Sequence, residues 1–167
     1  MDGNKEKFIQ LIQHPFKFRL FLLYKLPSAF FSGVRVKSID ETKILVTIPY
    51  KWFSQNPFKS TYFACLAMAA EMSTGLLAMM HTYNQMPEIS MLVVGMEARY
   101  FKKATTVTTF SCEDGNEIKN AIHIAKNNAE GSSFKATSLG RNEKGELVAE
   151  FLITWSFKVK KKNPAII

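Results

Sequence analysis

Apolar residues fall on every second position along several stretches of the chain, the spacing of strands with one face on a core. The clearest runs from Leu147 to Val159. Leu147, Ala149, Phe151, Ile153, Trp155, Phe157 and Val159 share one face, and Glu146, Glu150, Thr154, Ser156 and Lys158 the other. Ile44, Val46 and Ile48 against Lys43, Leu45 and Thr47 predict a strand over Lys43 to Tyr50, and Val34 to Ile39 precedes it across Asp40-Glu41 as a hairpin partner. Met91 to Lys103 and Thr105 to Cys112 also read as extended. Only Ala104 and its neighbours join these two, so they are expected to lie side by side. Ser132 to Leu139 reaches the last strand through a hairpin turn at Arg141 to Gly145.

Three other segments carry helical spacing. Lys5 to Tyr24 is apolar at Phe8, Ile12, Phe18 and Leu22, and His14-Pro15 should break it into two short helices. Asn56 to His81 reads as one long apolar helix beginning near residues 57 to 61, with Asn56 or Ser60 as its N-cap and Pro57 tolerated in the first turn. Such a helix is roughly 32 to 36 Å long, suited to lying across a sheet. His81 is expected to bring a cation to its C-terminal end. Asn116 to Asn128, with Ile118, Ala121, Ile122 and Ala125, is helical or part loop. No repeat or linker divides the chain. The expectation is one α+β domain over residues 1–167, with about six strands, residues 1–27 as a helical cap and 28–162 as the core.

Composition narrows the classes. At 47% hydrophobic and 13% aromatic, 167 residues suffice for a core. No charge-free apolar run is long enough to span a bilayer, because Glu71 interrupts the best candidate. The N-terminus mixes charged and apolar residues rather than ordering them as a signal peptide does, so a cytoplasmic location is expected. Cys65 and Cys112 read as buried small hydrophobes, and no His/Cys/Asp spacing implies a metal. A net charge of +8 admits nucleic acid, an acidic membrane or a phosphate-bearing small molecule. With no RNP-type strand or helix-turn-helix pattern, nucleic acid is not expected.

Glu71 is the single ionisable side chain in the middle of the long helix. Buried there, its pKa should rise toward the range of a general base. The bland alternatives are an exposed edge position, or a buried Glu satisfied by Ser73, Thr74 or a backbone amide. Ala67, Thr74, Gly75 and Ala78 share its face and leave room for substrate or for close packing. Asn56 either orients a water or carbonyl or serves as a cap. Thr74 either supports Glu71 or bonds its own backbone. The methionines, among them Met68, Met72, Met79, Met80 and Met91, fill the core or line an acyl tunnel.

A strand, a long apolar helix and then antiparallel strands is the order of the hotdog fold, in which a sheet wraps a central helix. Ser60-Thr61-Tyr62, LAMAAE ending at Glu71, Gly75, YFKKATTVTTF and EFLITWSF resemble the central helix and closing strands of hotdog-fold acyl-CoA thioesterases, over about residues 33 to 160. The match is nearest a poorly characterised thioesterase-like branch. In phenylacetyl-CoA thioesterase-type members a His-Gly-Gly start precedes the helix acid by nine residues. Here Tyr62-Phe63-Ala64 stands at that place while the acid, Glu71, is kept. The resemblance implies a homodimer or tetramer with sites between subunits, and hydrolysis or binding of a medium- or long-chain acyl thioester, without a cofactor beyond the coenzyme A of the substrate. On that reading Glu71 is base or nucleophile, the Phe63 amide polarises the thioester carbonyl from the helix N-terminus, and Asn56 and Thr74 assist. Tyr62 and Gly75 border the substrate. Arg99, Lys102 and Lys103 meet the coenzyme A phosphates, or else form a solvated edge. A non-catalytic acyl-thioester or lipid binder is the alternative. A peripheral membrane module using Phe8, Phe16, Phe18, Phe21, Lys17 and Arg19 is another. A hotdog dehydratase would need a catalytic His near the helix, and none stands between Asn56 and Glu71.

Overall fold

Six antiparallel strands curl around one long helix, and three short helices close the open side. A computed structural model describes residues 3–160. The end of the expected core, which runs to residue 162, lies outside the described residues.

The first segment folds as α1 (Gly3–Gln13) and α2 (Pro15–Lys25), separated at His14 as the His-Pro pair dictates, with α3 (Pro27–Ser32) after a second proline. β1 (Arg35–Ile39) and β2 (Ile44–Ile48) form the expected hairpin, its turn held by Asp40 Oδ1 accepting from the Thr42 and Lys43 amides at 2.8 and 2.9 Å. Ile44, Val46 and Ile48 are fully buried.

The long helix, α4 (Phe63–Thr82), starts later than its sequence predicts. Neither Asn56 nor Ser60 caps it. Asn56 closes a turn of its own, its Oδ1 accepting from the Phe58 and Ser60 amides at 3.0 and 3.3 Å, and Tyr62 stands at the N-cap without a side-chain bond. The 20 residues make a helix about 30 Å long. It is apolar nearly all round because the sheet wraps it. By length and composition α4 would also suffice to cross a membrane, but 67% of its most apolar window is buried within the fold.

β3 (Ile89–Tyr100), β4 (Thr108–Cys112), α5 (Gly115–Asn127), β5 (Ser132–Arg141) and β6 (Leu147–Val159) complete the chain. The sheet order is β1-β2-β4-β5-β6-β3. The expected adjacency of β3 and β4 is therefore wrong. The segment between them crosses below the start of α4, where Ala104 O accepts from the Thr61 amide and hydroxyl at 2.7 and 3.1 Å. β3 instead pairs along its length with β6, which is long enough to hold both β3 and β5. Residues 116–127 prove helical rather than part loop, and Asn128 is the extended C-cap.

His81 also departs from expectation. It is buried, with Nε2 3.2 Å from Glu41 O, and burial first, then the nearby Lys5 charge, lower its pKa to about 4. It is neutral at pH 7 and brings no cation to the helix end. Cys65 and Cys112 are free and buried, and burial pushes the Cys112 thiol up to about 12.

Candidate functional site

The central helix presents its one carboxylate to a cavity. Glu71 sits midway along α4 and lines a space of about 530 Å³ together with Phe18, Phe21, Met79, Met91 and Trp155. Burial holds its pKa above the usual 4.5, and among the described residues no hydrogen bond reaches the carboxylate. That combination is what a general base needs: a raised affinity for a proton, and oxygens not already committed.

Gly75, one turn on, lets the indole and the carboxylate approach the helix closely. A Cβ there would lie 3.1 Å from Glu71 Oε1 and 3.1 Å from Trp155 Cζ2. The room that the small residues leave on this face is thus taken by an indole edge as well as by the cavity. Trp155 Nε1 donates to Thr74 Oγ1 at 2.9 Å, and Thr74 donates to the Glu71 backbone carbonyl at 3.1 Å. Thr74 therefore bonds the backbone of Glu71 and anchors Trp155; it does not touch the carboxylate. Met72, Met79 and Met91 line the cavity, whereas Met80 is core.

A second cavity, about 740 Å³, lies at the helix N-terminus. Asn56, Tyr62, Phe63, Lys102 and Lys103 all line it. The first amides of a helix lack helical acceptors. Here no acceptor meets those of Phe63 and Ala64 among the described residues. Asn56 is committed to its loop through Oδ1, and its Nδ2 donates to Thr61 O at 3.5 Å. Lys102 pairs with Glu146 at 2.5 Å and Lys103 donates to Phe58 O at 3.3 Å, so both cations stand at the cavity rim with partners of their own. Arg99 is apart from both cavities. It lies on exposed β3 beside Glu150, at 3.9 Å.

Arg99 and Thr74 aside, the sequence-predicted residues fall into two groups. Glu71 and Gly75 occupy one cavity, and the helix N-terminal set the other, roughly 12 Å along the helix for eight residues of rise. One chain does not unite them. Sequence reasoning missed Trp155 as a wall of the site and missed α2 as its lid. The inward face of β6 placed Trp155 in the core, but nothing local tied it to Gly75.

β3 is one of the two edge strands of the sheet, opposite β1, and its register and its exposure are at odds. Beyond a bulge at Val94, the residues Met96, Ala98 and Tyr100 pair with Ile153, Phe151 and Ala149, which are fully buried. The β3 residues themselves remain exposed, Tyr100 at 48%. They face the helix side of the sheet beyond the reach of their own helix. Leu92 and Val94 are exposed too, on the outer face. An apolar, unpaired edge strand is uncommon in a protein that stays single.

The family described as "Domain of unknown function (DUF4442)" matches residues 17–157. No curated protein matches the chain. Among solved structures, a Pseudomonas aeruginosa protein of unknown function, described as a probable thioesterase, superposes with a TM-score of 0.73 at 18% identity over 90% of this chain and 99% of its own. A Chlorobaculum tepidum protein with unknown function has a TM-score of 0.73 at 15% identity, over 95% of this chain and 96% of its own. A Haemophilus influenzae thioesterase has a TM-score of 0.63 at 14% identity, over 87% and 92%. These likenesses establish the hotdog fold.

Proposed function

The chain belongs to the DUF4442 family, and we propose that this member hydrolyses a medium- or long-chain acyl-coenzyme A in a site shared by two copies of the chain. The observation that carries this reading is Glu71, a carboxylate without a hydrogen-bond partner among the described residues, raised in pKa by burial and set in the wall of an apolar cavity. The thioesterases among its structural likenesses support the substrate class.

In the proposed assembly two β3 strands pair antiparallel about Val94-Gly95. That brings the Ile89 end of one strand to the Tyr100 end of the other. Ile89, Ser90 and Met91 border the Glu71 cavity, and Tyr100 and Phe101 border the helix N-terminal cavity. The half-sites of different copies then meet. The acyl chain lies against Phe18, Phe21 and Met79, and the coenzyme A phosphates reach Lys102 and Lys103 of the second copy. Asn56 is a positioning residue that shapes the loop before the helix.

The chemistry balances without a cofactor. Glu71 takes a proton from water as the water oxygen bonds to the thioester carbonyl carbon. The carbonyl oxygen becomes an oxyanion and is met by the Phe63 amide of the second copy, at the positive end of the helix. Collapse breaks the C–S bond, and protonated Glu71 returns the proton to the departing thiolate. The products are the fatty acid and free coenzyme A.

The test is hydrolysis of acyl-coenzyme A from acetyl to palmitoyl by wild type and Glu71→Gln. Turnover on the longer chains that falls about 10²-fold or more in the variant is expected. Thermal stabilisation by the same ligands with no turnover in either protein would make this an acyl-thioester binding protein instead.

A further inference from the structure

Between Glu6 and Asp40 the chain has six cations, Lys7, Lys17, Arg19, Lys25, Arg35 and Lys37, and no acidic residue. None of the six makes an ion pair among the described residues. Apolar side chains stand outward in the same region. α2 buries Phe18 and Leu22 on its inner face, yet its opposite face carries Phe16, Leu20 and Tyr24, at 84, 68 and 79% exposure. A surface helix normally turns polar residues to that side. Phe8 and Phe18 are buried, so the membrane face expected from sequence shifts to Phe16, Leu20 and Tyr24.

Beside this stripe, between α2, α3 and β1, opens a cavity of about 630 Å³ with Phe16, Leu20, Phe30, Val36, Arg19 and Arg35 in its walls and no acidic side chain among its lining residues. Arg19 lies over the Phe30 ring, its guanidinium carbon 3.9 Å from the centroid, and its buried Nη1 has no hydrogen-bond partner. Burial, then repulsion from Arg35, lowers its pKa. Two guanidiniums that repel each other across an apolar cleft with an unsatisfied donor form a receptor for a phosphate attached to an apolar tail.

We propose that the outer face of α2 docks on an anionic phospholipid membrane, with Phe16, Leu20 and Tyr24 entering the interface and Arg19 and Arg35 holding a lipid phosphate. Lys17 and Lys25 flank the stripe and add attraction to a negatively charged surface. The commitment to a membrane rests on the union of these features. A cleft for a free anion needs no exposed aromatic stripe, and a protein interface needs no surplus of six unpaired cations. The inference does not depend on thioester hydrolysis.

The experiment is co-sedimentation of the full chain with vesicles of phosphatidylcholine alone or mixed with phosphatidylglycerol, at low and high salt. Binding to the anionic vesicles only, weakened by salt, is expected. Phe16→Ser with Leu20→Ser should abolish it, and Arg35→Gln should weaken it about fivefold, the share of one cation near such a surface. Both positions in the double variant are exposed, so it should melt as wild type does. The proposal is overturned if wild type ignores anionic vesicles, binds neutral ones equally well, or keeps its binding in the double variant. It is equally overturned if inorganic phosphate raises the melting temperature without vesicle binding, or if the double variant changes only the oligomeric mass.

Discussion

At the scale of single residues, a half-buried carboxylate and a buried imidazole on α4 set opposite pH dependences. Glu71 has a folded pKa raised above 4.5, so its contribution to stability is full below that value and is lost as pH rises through the raised pKa. His81 is the reverse case. Its pKa falls from 6.5 to about 4, so its contribution is present above 6.5 and is lost as pH falls through about 4. His81→Gln should flatten the acid limb of a melting-temperature profile between those values. Glu71→Gln should raise the melting temperature at neutral pH while lowering turnover, a pairing expected of a site residue that costs stability. A melting temperature unchanged at neutral pH would mean the carboxylate is solvated. Glu71 was legible from sequence because a lone charge in an apolar helix is a local contrast. Trp155 was not, since it meets Thr74 81 positions away and only the folded sheet brings the two together.

At the scale of elements, the sequence announced nearly every strand and helix, and erred where chain geometry outran local pattern. Alternation located β6 and β2 well, because each has one face on the core. The position of β3 escaped, since a short connection usually joins neighbours and here it crosses under a helix instead. The start of α4 escaped as well, because Asn56 is equally suited to a cap and to a turn. Gly140 on β5 pairs with Phe110 on β4, and a Cβ there would fall 2.5 Å from the Phe110 ring. Phe110 is fully buried against Phe151, with ring centroids 5.7 Å apart, so it has little room to yield. Gly140→Ala should destabilise the fold by about 1–3 kcal/mol, measured by denaturant unfolding. A neutral effect would mean that the ring can shift.

At the scale of the whole molecule, the proposed second copy would cover the exposed side of β3 and bring the two cavities of different chains together. Val94→Lys, on the free edge, should halve the particle mass in light scattering and remove turnover while leaving the melting curve cooperative. Complementation separates a shared site from a private one. In a mixture of Glu71→Gln and Asn56→Ala chains allowed to exchange partners, each mixed pair holds one intact combination, and roughly a quarter of wild-type turnover should return. No recovery would place the whole site within one copy. The sheet order also governs how the chain comes to be folded. β3 and most of β5 find their partner only in β6, with Val93 facing Trp155 across more than sixty positions of sequence. During synthesis both strands must wait, apolar edges open, until β6 has left the ribosome. Such long-range closure is slow and exposes the chain to misassembly. A chain stopped before Leu147 should accumulate as aggregate rather than as a smaller folded domain.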